Sequence, residues 1–116
     1  MSRSIGVQSE AQAIQYLNGL GYSCLANNFH SDKGEIDLIV QDPNGELIFV
    51  EVKYRKSIDE RAYDSITQRK QRAIIHTAKT YLMNHQAPYT AASFGVLVHD
   101  PHGWHWIPNA FDGEEC

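Results

Sequence analysis

The residues best suited to chemistry are three charged side chains within two apolar runs. Asp37 lies in the run 35–40, and Glu51 and Lys53 close the run 47–53. Side chains alternate between the two faces of a strand, so Glu51 and Lys53 share one face. Carboxylates beside an ammonium group are suited to holding a divalent cation and contacting phosphate oxygens.

The turn between the two runs predicts which residues face each other. Residues 42–45 read Asp-Pro-Asn-Gly. Pro43 suits the second position of a type I turn, and Gly45 suits the left-handed residue that follows it. A three-residue loop of this kind predicts a β-hairpin in which Asp37 lies directly across from Glu51, on the face that also carries Lys53.

Two facing carboxylates in apolar strands need a reason. At about 5 Å and an effective dielectric constant of about 20, their repulsion is about 3 kcal/mol. A domain's whole net stability is only about 5–15 kcal/mol. A shared proton, a neighbouring cation such as Lys53, or a divalent metal would relieve it. We therefore interpret the pair as a functional site, against the alternative of a salt bridge of Lys53 on an exposed face.

Other groups could complete such a site. Mg²⁺ typically takes one or two carboxylates, keeps several waters and accepts phosphate oxygens, so Mg²⁺ or Mn²⁺ is the expected cofactor. The backbone carbonyl of Val52 would supply a third ligand beside Asp37 and Glu51. Glu10 lies on the apolar stripe of a predicted helix and could complete the acid cluster. The alternative for Glu10 is a first-turn acid favoured by the helix dipole.

Positive charge is concentrated in one segment, although the formal net charge is −4. From Lys53 to Lys79 there are eight basic residues and three acids, a local charge of +5, and the rest of the chain carries −9. A basic stripe suits a polyanion, and a solvated helix face is the alternative. The candidate nucleic-acid contacts are Arg55, Lys56, Gln68, Arg69, Lys70 and Arg72.

Hydrophobic periodicity and turn residues predict the elements that position these groups. A first helix is predicted over Gln8–Asn18, a strand over 22–29, the hairpin, and a second helix from Ser65 to about Asn84. Two further strands are predicted over 93–99 and 104–107, joined by Asp-Pro-His-Gly. Residues 54–64 form a polar segment suited to a binding loop. The order α-β-β-β-α-β-β predicts one α/β domain over 1–116, with a mixed central sheet flanked by helices.

These residues carry a resemblance. Asp37 followed across a hairpin by Glu51-Val52-Lys53 resembles the core motif of the PD-(D/E)XK nuclease superfamily. More closely, the chain resembles the YraN-like family of small bacterial proteins, which is related to Holliday junction resolvases. The matching stretches cover nearly the whole chain and include residues 9–11, 34–39, 49–53, 68–72 and 109–111.

The resemblance implies a restriction-endonuclease-like core, a divalent metal, and branched or otherwise structured DNA as substrate. By that match Glu10, Asp37, Glu51 and Lys53 are the catalytic set, and Lys70 or Gln68 is the helix residue that approaches phosphate. The chain departs from the superfamily pattern at Ile36, where a proline is usual. It departs again at residues 93–95, which read Ser-Phe-Gly where relatives often show Arg-Phe-Asp.

Several protein classes are disfavoured by composition. No apolar run approaches the about 18 residues of a membrane span, and the first residues lack the apolar core of a signal peptide. We therefore expect a cytoplasmic protein with no membrane partner. Cys24 and Cys116 form neither a CxxC pair nor a disulfide framework. The six histidines lack zinc-site spacing, although His99, His102 and His105 flank one turn.

Three functions remain open from the sequence. The first is a metal-dependent DNA endonuclease. The second is a non-catalytic nucleic-acid-binding module that retains the nuclease fold. The third is a protein-interaction domain whose basic stripe meets an acidic partner. A two-fold homodimer is expected to suit a symmetric DNA substrate.

Overall fold

The helices and strands follow one another along the chain in the predicted order. The structure is a computed structural model that describes residues 2–56, 66–84 and 88–112, with residues 2–9 described by their backbone alone. The elements are α1 (Ser2–Gly19), β1 (Ser23–His30), β2 (Glu35–Gln41), β3 (Glu46–Tyr54), α2 (Gln68–Asn84), β4 (Ala91–Asp100) and β5 (Gly103–Phe111). The order α-β-β-β-α-β-β is confirmed, and with it the α/β class.

The strands form one mixed five-stranded sheet in the order β1-β2-β3-β4-β5. Neighbouring strands are antiparallel except β3 and β4, which are parallel. A parallel pair needs a crossover connection, and the segment containing α2 provides it. The central strand β3 therefore carries Glu51 and Lys53 into the middle of the sheet.

The turn before β3 forms as its sequence predicts. The Gly45 N–H donates to the carbonyl of Asp42 at 3.0 Å, and Gly45 has a positive φ of 90°. The Asp42 carboxylate accepts the backbone N–H groups of Asn44 and Glu46, each at 2.9 Å. An acid at this position therefore satisfies donors that the tight turn leaves open.

The hairpin register is the predicted one. Leu38 pairs with Val50, and Gln41 pairs with Leu47. One step beyond the Leu38–Val50 pair, the same register sets Asp37 opposite Glu51. The turn chemistry thus fixes the place of both carboxylates at the open end of the hairpin.

Both faces of the hairpin are apolar and covered. On one face Ile39 and Phe49 pack with Ile74, Ala78 and Tyr81 of α2. Because side chains alternate along a strand, Asp37 and Glu51 belong to this α2 face.

The opposite face packs against α1. Leu38, Val40 and Val50 contact Ala13 and Leu17 of that helix. The two helices therefore lie on opposite sides of the sheet, and the helix that shares a face with the carboxylates is α2.

Some element boundaries differ from those predicted. Helix α1 begins at Ser2 rather than Gln8, and β5 continues to Phe111 rather than ending at Ile107. Pro108 does not stop β5 because a strand at the edge of a sheet does not need every N–H for pairing. No helix within the described residues is long and apolar enough to cross a membrane.

The predicted start of the second helix also needs correction. Thr67, rather than Ser65, caps α2: its hydroxyl accepts the Lys70 N–H at 3.1 Å and its carbonyl accepts the Gln71 N–H at 2.8 Å. The Gln71 amide returns to the carbonyl of Ile66 at 3.0 Å. Ser65 and most of the predicted loop 54–64 lie outside the described residues.

Candidate functional site

Asp37 and Glu51 line a small cavity between the hairpin and the first turns of α2. Its volume is about 220 Å³. The lining residues are Gly34, Glu35, Asp37, Glu51, Lys70, Ala73 and Ile74. A cavity of this size admits several waters or a hydrated ion together with a phosphate group.

Glu51 is a buried carboxylate held between two ammonium groups. The residue is 8% exposed. One of its oxygens, Oε2, lies 2.7 Å from Nζ of Lys70 and 3.6 Å from Nζ of Lys53. The Lys53 side chain is itself only 13% exposed. The alternative of a salt bridge on an exposed face therefore does not describe this contact.

Asp37 is less well compensated than Glu51. Its Oδ2 accepts the backbone N–H of Val52 at 2.8 Å. Burial, and after it the negative charge of Glu51, raises the pKa of Asp37 to about 6. The carboxylate pair is thus the strained feature that the sequence predicts, and any added cation near it would favour ionised Asp37.

The two lysines have different electrostatic environments. Burial, followed by repulsion from the Lys70 ammonium, lowers the pKa of Lys53. The hydrogen bond to Glu51 raises the pKa of Lys70 above its ordinary value. Lys53 is therefore a poorly solvated cation next to the carboxylates, suited to contacting an incoming anion.

The donor set fits a hard divalent cation. Asp37 and Glu51 place two carboxylates in one cavity. Mg²⁺ commonly takes one or two carboxylates. Val52 contacts this cluster through its backbone N–H, which donates to Asp37. The Val52 carbonyl as a third metal ligand stays a prediction. Within the described residues, no group of three or more His, Cys, Asp or Glu side chains is placed to hold a metal.

Glu10 lies apart from this cavity. Its carboxylate accepts hydrogen bonds from the side-chain amides of Asn27, at 3.4 Å, and Asn28. Both asparagines belong to β1, and the core contacts of α1 are on the sheet face opposite α2. Glu10 is not in the lining of this cavity, and among the described residues it does not form a group of three acids placed to hold a metal, unlike the predicted cluster.

The predicted nucleic-acid contacts fall into two groups. Lys70 reaches the cavity, whereas Gln68, Arg69 and Arg72 are exposed on the first turns of α2. All three share one end of the helix with Lys70, and Arg69 and Arg72 add positive charge to that end.

The other predicted contacts follow β3. The Arg55 N–H donates to the carbonyl of His99 at 2.8 Å, and Lys56 is exposed. Positive charge is thus found at the end of β3 as well as along α2.

Asp100 contacts two of the three histidines that flank the second turn. Its Oδ1 accepts the His102 N–H at 2.8 Å and lies 3.0 Å from Nε2 of His105. Asp100 is 7% exposed. These contacts support the interpretation as ordinary turn and strand histidines.

The contact of Lys70 with Glu51 is the feature that sequence reasoning missed. The resemblance implies a phosphate contact for Lys70, whereas the structure pairs it directly with a predicted metal ligand. The only signal in the sequence is the small pair Gly34 and Ala73, which lets α2 approach β2 closely. An added Cβ at Gly34 would lie 3.2 Å from Cβ of Ala73.

A larger cavity of about 480 Å³ lies beside α2 and the start of β4. Phe49, Leu82, Phe94 and Phe111 are in its lining. The rings of Phe94 and Phe111 stack with centroids 4.8 Å apart. Because this lining is mainly aromatic and aliphatic, the smaller cavity with its facing carboxylates is the better site for hydrolytic chemistry.

Comparisons with known proteins identify the family. The profile of the "Uncharacterised protein family UPF0102" matches residues 9–98. A UPF0102 protein of Lachnoclostridium phytofermentans is 41% identical over 109 residues, covering 92% of each chain. A UPF0102 protein of Serratia proteamaculans is 38% identical over 115 residues, covering 97% of each chain. The chain therefore belongs to the UPF0102 family, which confirms its resemblance to the YraN-like proteins.

Proposed function

We propose that this protein is a metal-dependent endonuclease that hydrolyses phosphodiester bonds in branched or otherwise structured DNA. The observation that carries the proposal is the cavity in which Asp37 and Glu51 meet beside Lys53. A buried pair of like charges lowers stability, and a divalent cation bound between them would offset that cost. The Lys53 ammonium would then contact a phosphate group bound beside the cation. The resemblance to the PD-(D/E)XK superfamily gives the same assignment.

Asp37 and Glu51 would hold a Mg²⁺ or Mn²⁺ ion. When bound, such an ion lowers the pKa of a coordinated water and stabilises negative charge at phosphorus. The Val52 N–H fixes one oxygen of Asp37, which leaves the other oxygen free to turn toward the cavity. The hairpin therefore supplies a rigid support for both carboxylates.

Lys53 would contact a non-bridging oxygen of the scissile phosphate and position the attacking water. In the reaction the water oxygen bonds to phosphorus, the bond to the leaving oxygen breaks, and that oxygen gains a proton. Negative charge grows on the phosphoryl oxygens as this happens. A buried ammonium fixed near that charge stabilises it more than an exposed one would, because water screens it less.

The surrounding charge favours a nucleic acid over a small phosphodiester. Arg69 and Arg72 are exposed on α2 near the cavity, and Lys56 is exposed after β3. Cations spread over two elements can follow a phosphate backbone beyond the scissile bond. The order of elements also agrees with the restriction-endonuclease-like core that the resemblance implies.

Cleavage of defined DNA substrates tests the proposal. The parent protein is incubated with four-way junction, flap and linear duplex DNA in Mg²⁺ or Mn²⁺, with EDTA as the blank. Lys53→Gln should lower the cleavage rate about 10²-fold or more, since it removes a charge that acts in the transition state. Lys79→Gln is the matched control, because Lys79 lies on α2 but lines the larger cavity.

Metal-dependent cleavage that Lys53→Gln abolishes and Lys79→Gln preserves would support the nuclease. Binding of structured DNA without cleavage in either metal would overturn it. That result would favour the non-catalytic nucleic-acid-binding module.

A further inference from the structure

Lys70 makes the shortest described contact with the Glu51 carboxylate. Its Nζ lies 2.7 Å from Oε2 of Glu51, closer than Nζ of Lys53 to the same oxygen at 3.6 Å. Both distances belong to a carboxylate that is 8% exposed. One of the two carboxylates of the site therefore has a cation in direct contact with it.

A metal ion that coordinates this oxygen would compete with the Lys70 ammonium for it. Two cations within about 4 Å repel by several kcal/mol at the effective dielectric constant of a protein surface. This repulsion favours exchange of the Lys70 ammonium for the metal when a metal binds to Oε2 of Glu51. The affinity for the metal is then lowered by whatever free energy the Lys70 contact contributes.

Of the two lysines, Lys70 is the one that can leave. Its side chain is 47% exposed, whereas that of Lys53 is 13% exposed. Lys70 lies on the first turn of α2 at the cavity wall, and its four-carbon stem can swing toward solvent. Lys53 is on the same strand as Glu51 and is surrounded by protein.

We propose that Lys70 is a tethered cation that holds the place of the divalent ion at Glu51 and is displaced when the ion binds. This inference rests on the proposed function, because it concerns the same metal. In the metal-free protein Lys70 keeps the Glu51 carboxylate oriented toward the cavity. Once displaced, its ammonium stays at the cavity mouth and can contact a DNA phosphate, so loading of the metal prepares the site for substrate.

A lysine that only bound phosphate would behave differently. Its removal would leave the metal affinity unchanged in the absence of DNA. A placeholder cation predicts the opposite, a higher affinity for the metal once the competitor is gone. Metal binding without DNA therefore separates the two roles.

The test is a calorimetric titration of Mn²⁺ into the parent protein, Lys70→Gln and Lys79→Gln without nucleic acid. Lys70→Gln should bind Mn²⁺ about tenfold more tightly than the parent. This factor corresponds to the low end of the contribution of a hydrogen bond between charged groups, because the Lys70 side chain is half exposed. Lys79→Gln removes the same charge from the same helix outside this cavity, and should match the parent. Lys70→Arg retains a cation and should also match the parent.

Thermal unfolding gives an independent readout. In EDTA, Lys70→Gln should melt below the parent because Glu51 has lost a partner, and saturating Mn²⁺ should raise its Tm more than that of the parent. If the parent binds Mn²⁺ and Lys70→Gln binds it equally or more weakly, the inference is wrong while the proposed function stands. If neither protein binds Mn²⁺, the metal-dependent function fails and the inference fails with it.

Discussion

Asp37 and Glu51 carry the same charge on neighbouring strands, but their surroundings differ. Burial and the Glu51 carboxylate raise the pKa of Asp37 to about 6. Glu51 instead has two ammonium groups within 3.6 Å of one oxygen. Removing the charge of one residue should therefore have the opposite effect on stability from removing the charge of the other.

We expect Asp37→Asn to be more stable than the parent at about pH 7.5. The pKa of Asp37 in the folded protein is about 6, above its ordinary value of 3.8. The free energy of unfolding of the parent therefore falls as pH rises from 3.8 to about 6. The loss is up to about 3 kcal/mol. Asparagine keeps an oxygen for the Val52 N–H and does not ionise.

Urea unfolding of both proteins in EDTA, from about pH 4.5 to 8, measures this. The stability gap between variant and parent should widen as pH rises and narrow as pH falls. Parallel curves over the whole range would show that Asp37 is not under strain.

Glu51→Gln should destabilise the protein by about 1–2 kcal/mol at about pH 7.5. It leaves Lys53 and Lys70 close together without the carboxylate that holds them, and Lys53 is poorly solvated. The same urea experiment in EDTA gives the value, with Asp37→Asn as the isosteric comparison. If both variants change the free energy of unfolding in the same direction, Glu51 is not the compensated acid of the pair.

At the residue scale, the sequence predicts the hairpin part of the site and not the helix part. Asp37 meets Glu51 because the Asp42 turn and the period of the strands set their register locally. Lys70 meets Glu51 only after α2 has docked on the sheet, which depends on packing between distant segments. The predicted three-acid group with Glu10 does not form for the same reason, since the apolar stripe of a helix does not reveal where on the sheet the helix will pack.

At the scale of elements, the close approach of α2 to β2 brings Lys70 to the carboxylates. A Cβ at Gly34 would lie 3.2 Å from Cβ of Ala73 and 3.4 Å from Oγ1 of Thr77. Both atoms belong to α2, so the contact must open by a few tenths of an ångström to accept the added methyl. The glycine before β2 therefore permits the close approach of the helix to the site.

Gly34→Ala should cost about 1–2 kcal/mol of stability, because the added methyl overpacks the contact between helix and sheet. Gly19→Ala is the control, since a Cβ there meets no heavy atom within 4 Å. It should leave the free energy of unfolding unchanged or slightly raised. Equal effects of the two substitutions in urea unfolding would show that α2 is not packed tightly at Gly34.

The sequence predicts each element more reliably than its ends. Alternation of apolar residues and the two Asp-Pro-x-Gly turns locate the strands correctly. The end of β5 is missed because Pro108 suggests a stop, and only its place at the edge of the sheet lets the strand continue. The start of α2 is missed because Ser65 and Thr67 are both good caps, and the structure uses Thr67.

For the molecule as a whole, the sign of the net charge does not describe the surface near the cavity. A chain of net charge −4 carries exposed Arg69 and Arg72 on the helix that bears Lys70. If these arginines contact phosphates, each substitution by glutamine should weaken binding of all DNA structures alike. It should also reduce the slope of log affinity against log salt by about 1.

Fluorescence anisotropy with junction and duplex DNA over a series of salt concentrations measures both effects. Lys79→Gln serves again as the control variant. An unchanged salt slope in Arg69→Gln and Arg72→Gln would remove the first turns of α2 from the DNA-binding surface.

The most direct measurement is a calorimetric titration of Mn²⁺ and Mg²⁺ into the parent protein and into the double variant Asp37→Asn with Glu51→Gln. Both substitutions keep side-chain shape, and folding of the variant is checked by circular dichroism. We predict metal binding by the parent that is lost in the variant, which places the metal between the two carboxylates. A folded parent that binds neither metal, even with DNA present, would contradict metal-dependent hydrolysis at this site.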